Sequence, residues 1–303
     1  MLILNPDPYL LPDYKISPFT TADIHEHMRL PDDDTADTYF ATRFPGRRFT
    51  YTINGRSAIN KALSHYKLQK HDVVTILTTT GNFYVSGCVT GEIERYCRWN
   101  REVDATTKVI LVIHEFGYPY PQLEQLRAYN LPIIEDVAYA FFSEDANSTI
   151  GKVGDFVVYS FPKMFPVQIG GVLVHNKDVA VEPERWEHPR MLPYIRKVLS
   201  FHLAKKAEII ANRLRSYNGL KMRLHALGFE ERLPLEEGVV PGVFMFKVPD
   251  EKTDLKRMRD YLFSHGIQCS VFYGERAFFI PVHQSLIGVD LDYFAMVIQS
   301  FSK

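Results

Sequence analysis

"VILVIHEFGYPYPQLEQLRAYNLPIIED", residues 109–136, sets two apolar runs on either side of a short polar stretch. The first run, from Val109, and the last, ending in Glu135 and Asp136, have the length and branching of buried strands. Between them "PQLEQLRAYN" has the spacing of a short amphipathic helix. Strands alternating with a helical pattern argue for a parallel α/β sheet rather than a sandwich. The segment therefore predicts a parallel pair in an α/β sheet.

The pattern continues on both sides. "VVTILTTT" from Val73, "FVVYSF" from Phe156 and "GGVLVH" from Gly170 are further apolar strands. "NGRSAINKALSHYKL" opens at Asn54-Gly55 and places Ala58, Ala62 and Tyr66 on one stripe, with Ile59 and Leu63 beside it. That is a helix beginning just after a glycine. The first fifty residues are rich in Pro and Asp, and "LPDDDTAD" from Leu30 reads as solvated loop. Beyond His175 the texture changes. A polar, proline-punctuated stretch leads to a basic helical segment, "YIRKVLSFHLAKKAEIIANRLRSY", and then to a strand, a helix, a strand and a closing helix from Asp290. The expected organisation is a large α/β domain over residues 1–187, with a mainly parallel central sheet. A connecting helix and small α+β domain are expected over 188–303.

Composition excludes several classes. Hydrophobic residues make up 46% of 303, enough for a large core, and the net charge of -1 lacks the basic excess that nucleic acid or an anionic membrane selects. Three cysteines, Cys88, Cys97 and Cys269, form no zinc or disulfide spacing, and the apolar start before Asn5-Pro6 is too short for a secretory segment. A cytoplasmic protein without membrane or nucleic-acid partners is expected.

Chemistry concentrates at strand ends. Gly55-Arg56-Ser57 stands at a helix N-terminus, where free amides and the helix dipole suit a phosphate, although most such termini bind nothing. Asp136 closes an apolar strand, where open α/β sheets hold ligands, although read alone it is a strand-end acid capping the next turn; alternation sends Glu135 to the other face. Lys163 follows Ser160 by three residues, so a hydroxyl and an amine reach the phosphate and the aldehyde of one cofactor. A Schiff-base lysine, an acid for a ring nitrogen and a phosphate cradle are what pyridoxal 5'-phosphate requires. Catalytic roles fall to Lys163 and Asp136, and burial among apolar residues is expected to disfavour the Lys163 ammonium.

Other features read as structural. His25 and His27 sit two apart, off a common helix face, with no third ligand, so they are assigned to a surface loop and no metal is expected. His114 and His283 read as satisfied histidines. Lys205, Lys206, Arg213 and Arg215 read as the wet face of a helix. No Gly-x-Ser-x-Gly supports serine chemistry.

"VIHEFGYPYPQLEQLRAYNLPIIEDVAYAF", "IGKVGDFVVYSFPK" and the following Gly170-Gly171 resemble the DegT/DnrJ/EryC1/StrS aminotransferases, sugar aminotransferases of pyridoxal phosphate fold type I. "PVHQ" from Pro281 is similar to a further family signature. The resemblance implies a homodimeric aminotransferase moving an amino group from glutamate to a nucleotide-linked keto sugar by a ping-pong route. It assigns Lys163 to the Schiff base, Asp136 to the pyridinium, and Ser160 with Gly55 and Arg56 to the phosphate. Phe83 or Tyr84 is implied to stack on the ring. Tyr139 stands where the family usually has Gln or His, and His188-Pro189-Arg190-Met191 only echoes the family's Asn-Tyr-Arg-Met. These departures keep a lyase or decarboxylase, and a non-catalytic binding descendant, as alternatives.

Overall fold

A computed structural model describes residues 13–301, which divide into two compact units: 19–206 with 237–239, and 13–18 with 207–236 and 240–301. The division falls after Lys206, where the sequence reading set it after residue 187.

The larger unit is built on seven strands: β1 (Arg47–Thr52), β2 (Val73–Thr78), β3 (Arg98–Asn100), β4 (Thr107–Ile113), β5 (Ile133–Asp136), β6 (Phe156–Ser160) and β7 (Gly171–Asn176). Their order is β1-β7-β6-β5-β4-β2-β3. Strands β3, β2, β4, β5 and β6 pair in parallel, and β7 runs against both its neighbours. The sheet is therefore parallel except for one strand, as expected. The apolar runs are nearly continuous because both faces are covered. On one face Val109, Leu111, Ile134 and Val158 pack with Ala58, Ile59, Ala62 and Leu63 of α3 (Gly55–His65). On the other, Ile110, Val112 and Ile133 pack with Leu123 and Leu126. Each such aliphatic side chain contributes about 1.5–3 kcal/mol on burial.

Three details depart from the sequence reading. "LPDDDTAD" is loop only as far as Asp34, and two helices that the reading did not place, α1 (Thr21–Arg29) and α2 (Thr35–Arg43), flank that loop. Asp23 accepts hydrogen bonds from the amide and hydroxyl of Thr20, fixing the start of α1, and Phe40 of α2 is buried among Tyr51, Phe141, Tyr159 and Phe161. The stretch 123–129 is a 3-10 helix rather than an α-helix, bounded by left-handed residues Gln122 (φ 59°) and Asn130 (φ 51°). The long basic helix is two, α5 (Met191–Leu203) and α6 (Lys206–Ala226); the Lys205 amide turns back to the His202 carbonyl at 3.0 Å and ends the first. Helix α5 belongs to the larger unit, where Arg196 pairs with Asp37 and Ser200 Oγ accepts the Ala36 amide at 2.9 Å.

The smaller unit has three antiparallel strands in the order β8 (Val243–Lys247), β10 (Ala277–Pro281), β9 (Ser270–Phe272), backed by α7 (Leu255–Ser264) and α8 (Gly288–Phe301). Phe244, Phe246, Phe278, Phe294 and Ile298 form its core. No helix of the described residues is long and apolar enough to cross a membrane.

Candidate active site

Every strand that runs with the parallel set ends on one edge of the sheet, and the residues singled out above collect there. Thr52 of β1, Gly171 of β7 and Ser160 of β6 lie side by side in register. The chain then turns at Asn54, whose side chain accepts the Ser57 amide at 2.9 Å and starts α3. The amides of Gly55 and Arg56 donate to no group among the described residues. A Cβ at Gly55 would stand 3.0 Å from Ser160 Cβ, and one at Gly171 would stand 2.5 Å from the Tyr159 carbonyl oxygen. Glycine at 171 lets β7 close on the cradle, and glycine at 55 keeps the helix end in tight contact with Ser160. Two open amides, a helix dipole and a hydroxyl form a set of donors matched to a phosphate. Glu184 borders it, accepting from the Ile53 amide at 3.1 Å and from Ser57 Oγ at 2.5 Å. The Arg56 side chain is exposed, so its part in the cradle is its backbone.

The two acids at the end of β5 diverge, as the alternation required. Glu135 is fully buried and accepts the amides of Gly151 (2.6 Å), Val153 (2.8 Å) and Gly154. His114 also faces it: Nδ1 takes the Tyr120 amide at 2.9 Å, which leaves the proton on Nε2, 3.4 Å from Glu135. Both are structural groups, and His114 is the satisfied histidine expected. Asp136 looks the other way and holds the Ala138 amide at 2.9 Å. Burial pushes its carboxyl above the ordinary range, against the opposing pull of that amide, His114 and Lys163.

Lys163 ends a 3-10 turn, Phe161–Lys163, that follows β6 directly. Its Nζ lies 5.0 Å from the centre of the Tyr139 ring. The ammonium is held above the usual lysine range, by Tyr139 first, against the opposing effect of burial, with Cys88 and Asp136 adding to the rise. This corrects the expectation that an apolar pocket disfavours the charge: the pocket is lined by partners, and they outweigh desolvation.

Phe83 and Tyr84 are now distinct. Phe83 is 71% exposed, whereas Tyr84 lies near-parallel to Phe116, ring centres 6.4 Å apart. Phe116 in turn contacts Tyr139 at 5.5 Å. Phe116 was missed in the sequence. It is a buried non-glycine residue at φ 54°, a strained backbone of the kind that concentrates at functional sites. The signal was an aromatic wedged before Gly117 at a strand end. Cys88, at the start of α4 (Gly87–Glu94) and close enough to act on Lys163, was also missed.

The remaining features fall elsewhere. His25 and His27 lie on α1 rather than a loop; His27 is buried and meets His202, Nε2 to Nε2, at 3.0 Å. Among the described residues no three metal-ligating side chains converge. Lys205 and Lys206 cover the rings of Phe201 and Phe142, at 4.1 and 5.4 Å. Arg213 departs from the expected wet face: it is fully buried in the smaller unit, donating to Gln284 and to the Pro241 and Val282 carbonyls. A guanidinium saturated by carbonyls can occupy a core position that its place in a basic run does not reveal. His283, in the same unit, is held near 3 by burial and by Arg213. His188 to Met191 forms the turn into α5, with His188 Nδ1 accepting the Arg190 amide at 3.1 Å.

Comparison with known proteins gives a family match over part of the chain and several solved structures of similar fold. Residues 97–186 match the model of the DegT/DnrJ/EryC1/StrS aminotransferase family, a segment that contains Asp136, Tyr139, Ser160 and Lys163. No curated protein sequence matches the chain. Among solved structures, the aminotransferase TlmJ of Streptoalloteichus hindustanus superposes with a TM-score of 0.74 at 16% identity, over 95% of this chain and 98% of that one. Spr1654 of Streptococcus pneumoniae gives 0.72 at 14%, over 98% of each chain, and has also been solved in PLP and PMP forms. A DegT/DnrJ/EryC1/StrS aminotransferase of Brucella abortus gives 0.68 at 14%, over 92% and 93%. The fold-type I architecture and the resemblance read from the sequence are both borne out.

Proposed function

We propose that this chain is a pyridoxal phosphate-dependent aminotransferase that moves an amino group from an amino-acid donor, glutamate, to a keto sugar carried on a nucleotide. One observation carries the reading. An amine at the end of β6, paired with Tyr139 and under the charge of Asp136, shares a strand edge with the open cradle of Gly55, Arg56 and Ser160. These groups fit the cofactor. The cradle has donors to spare, a Cβ at Gly55 would crowd Ser160, Lys163 would supply the amine for its aldehyde, and Asp136 would supply a buried acid for its ring nitrogen.

The bound cofactor would act as an electron sink for the carbanion formed at the substrate. Lys163 Nζ would hold the cofactor and, once displaced by the donor's amine, take the proton from the donor's Cα and return it. Tyr139, beside that amine, would raise the share of it that stays protonated. Asp136 would supply the buried acid that keeps the ring nitrogen protonated. Tyr84, backed by Phe116, would be the aromatic that covers the ring. A homodimer and a cytoplasmic setting complete the reading.

The test is a half-reaction. Purified protein loaded with the cofactor is mixed with glutamate, and 2-oxoglutarate is counted against protein. One equivalent from the wild type and none from Lys163→Ala supports the transfer. Release of carbon dioxide or ammonia in place of 2-oxoglutarate would replace it with a decarboxylase or lyase.

A further inference from the structure

Strands β2 and β4 end together at Thr78 and Ile113, and both chains turn at once. Between the two turns stands a carboxylate that nothing above employs. Glu115 is buried, and its Oε2 accepts both the amide and the hydroxyl of Thr80, each at 2.7 Å. The bonding is reciprocal: Thr79 Oγ1 accepts the Glu115 amide at 2.9 Å and donates to the Tyr118 carbonyl at 2.7 Å. From Thr80 the chain of bonds continues outward. Thr80 Oγ1 accepts the Asn82 amide at 3.2 Å, and Asn82 Oδ1 accepts the Tyr84 amide at 2.6 Å. Arg101 closes the turn from behind, donating to Thr78 Oγ1 at 2.8 Å and to the Asn82 carbonyl at 2.6 Å. The residue after Glu115 is Phe116, whose left-handed backbone brings its ring against both Tyr84 and Tyr139.

A buried carboxylate costs several kcal/mol unless its oxygens are satisfied, so an apolar residue would serve better if only packing mattered. Here the acid is satisfied by the loop that carries Tyr84. We infer that Glu115 is a positioning residue: through Thr80 and Asn82 it latches the 79–84 turn and fixes where Tyr84 stands against the site. The inference rests on the reading in which Tyr84 covers the cofactor ring, but the latch itself can be measured without cofactor.

Two readouts test it. In the cofactor-free protein, amide hydrogen exchange across 80–84 should rise about tenfold in Glu115→Leu and stay near the wild-type rate in Glu115→Gln, which keeps the accepting oxygen. Thr80→Val, which removes the middle link, should repeat the Glu115→Leu result and serves if that variant does not fold. With pyridoxal phosphate added, Glu115→Leu should lower cofactor affinity about five- to twentyfold and weaken the circular dichroism of the bound chromophore. Unchanged exchange in both Glu115→Leu and Thr80→Val would overturn the latch. Equal disturbance by Gln and Leu would overturn it too, because charge toward Arg101 and not the accepting oxygen would then be the cause. A wild type that captures no cofactor on Lys163 would remove the functional reading, while the exchange result would still decide the latch.

Discussion

The Lys163 amine lies 5.0 Å from the centre of the Tyr139 ring, and Tyr139 is the first cause that holds its ammonium above the usual lysine range. Because this neighbour raises the ammonium's pKa, less neutral amine is present at a given pH than an isolated lysine would offer. Tyr139→Phe should move the midpoint for covalent capture of pyridoxal phosphate to lower pH and speed capture at neutral pH. Rates measured from pH 6 to 10 by the growth of the visible band check this. A midpoint that moves upward would mean the hydroxyl aids the free amine instead.

Gly55 and Ser160 approach so closely that a Cβ at residue 55 would stand 3.0 Å from Ser160 Cβ. Gly55→Ala should shift Ser160 or the helix end by a few tenths of an ångström, and cofactor affinity should fall about tenfold, near 1.4 kcal/mol. Ser160→Ala removes one donor to an anion, worth roughly 1.5–3 kcal/mol. Neither should affect pyridoxal, which lacks the phosphate. Parallel spectroscopic titrations with the two compounds give the comparison.

The neighbouring acids should separate cleanly by substitution. Glu135→Ala leaves the amides of Gly151, Val153 and Gly154 without their acceptor, in a site closed to water. Each unsatisfied group costs about 1–3 kcal/mol, so the melting temperature should drop by many degrees. Asp136→Asn should melt near the wild type and lose about 10²-fold or more of kcat, the scale of one electrostatic group in a buried site. Calorimetry and steady-state kinetics on both variants check the contrast.

Acid should loosen the larger unit through His202. Its pKa is pushed down to about 4, by burial first and then by His27 and Lys205. The folded state therefore resists a proton that the unfolded chain accepts near the ordinary value of 6.5. Between those values the unfolded state binds more protons, so stability falls as pH drops and is level below about 4. His27, lowered by burial in the same way, adds to the same slope. The wild-type melting temperature should decline from pH 7 to 4.5, and His202→Gln should flatten that decline.

The sheet was legible because its strands are nearly unbroken apolar runs, and buried parallel strands leave little else to read. Asp136, Ser160 and Lys163 were legible for a related reason: each is a polar residue at the end of such a run, and the sheet's topology brings those ends to one edge. Phe116 and Glu115 were not legible, because each looks ordinary where the strand stops. Their importance depends on a left-handed backbone and on Thr80, 35 residues earlier in the chain. Arg213 was misplaced because its partners are carbonyls and an amide from the sequence 241–284. The helices at 21–43 escaped notice because Asp and Thr serve equally in loops and at helix starts. Choosing between Phe83 and Tyr84 needed the turn geometry itself.

The central claim is that Lys163 carries the cofactor. The direct measurement is borohydride reduction of the protein incubated with pyridoxal phosphate, followed by mapping of the labelled peptide. One pyridoxyl group per chain on the peptide containing Lys163, with the visible band lost on reduction, is the expected result. No band, or label scattered over exposed lysines such as Lys67 and Lys70, would contradict it and leave this sheet edge without its cofactor.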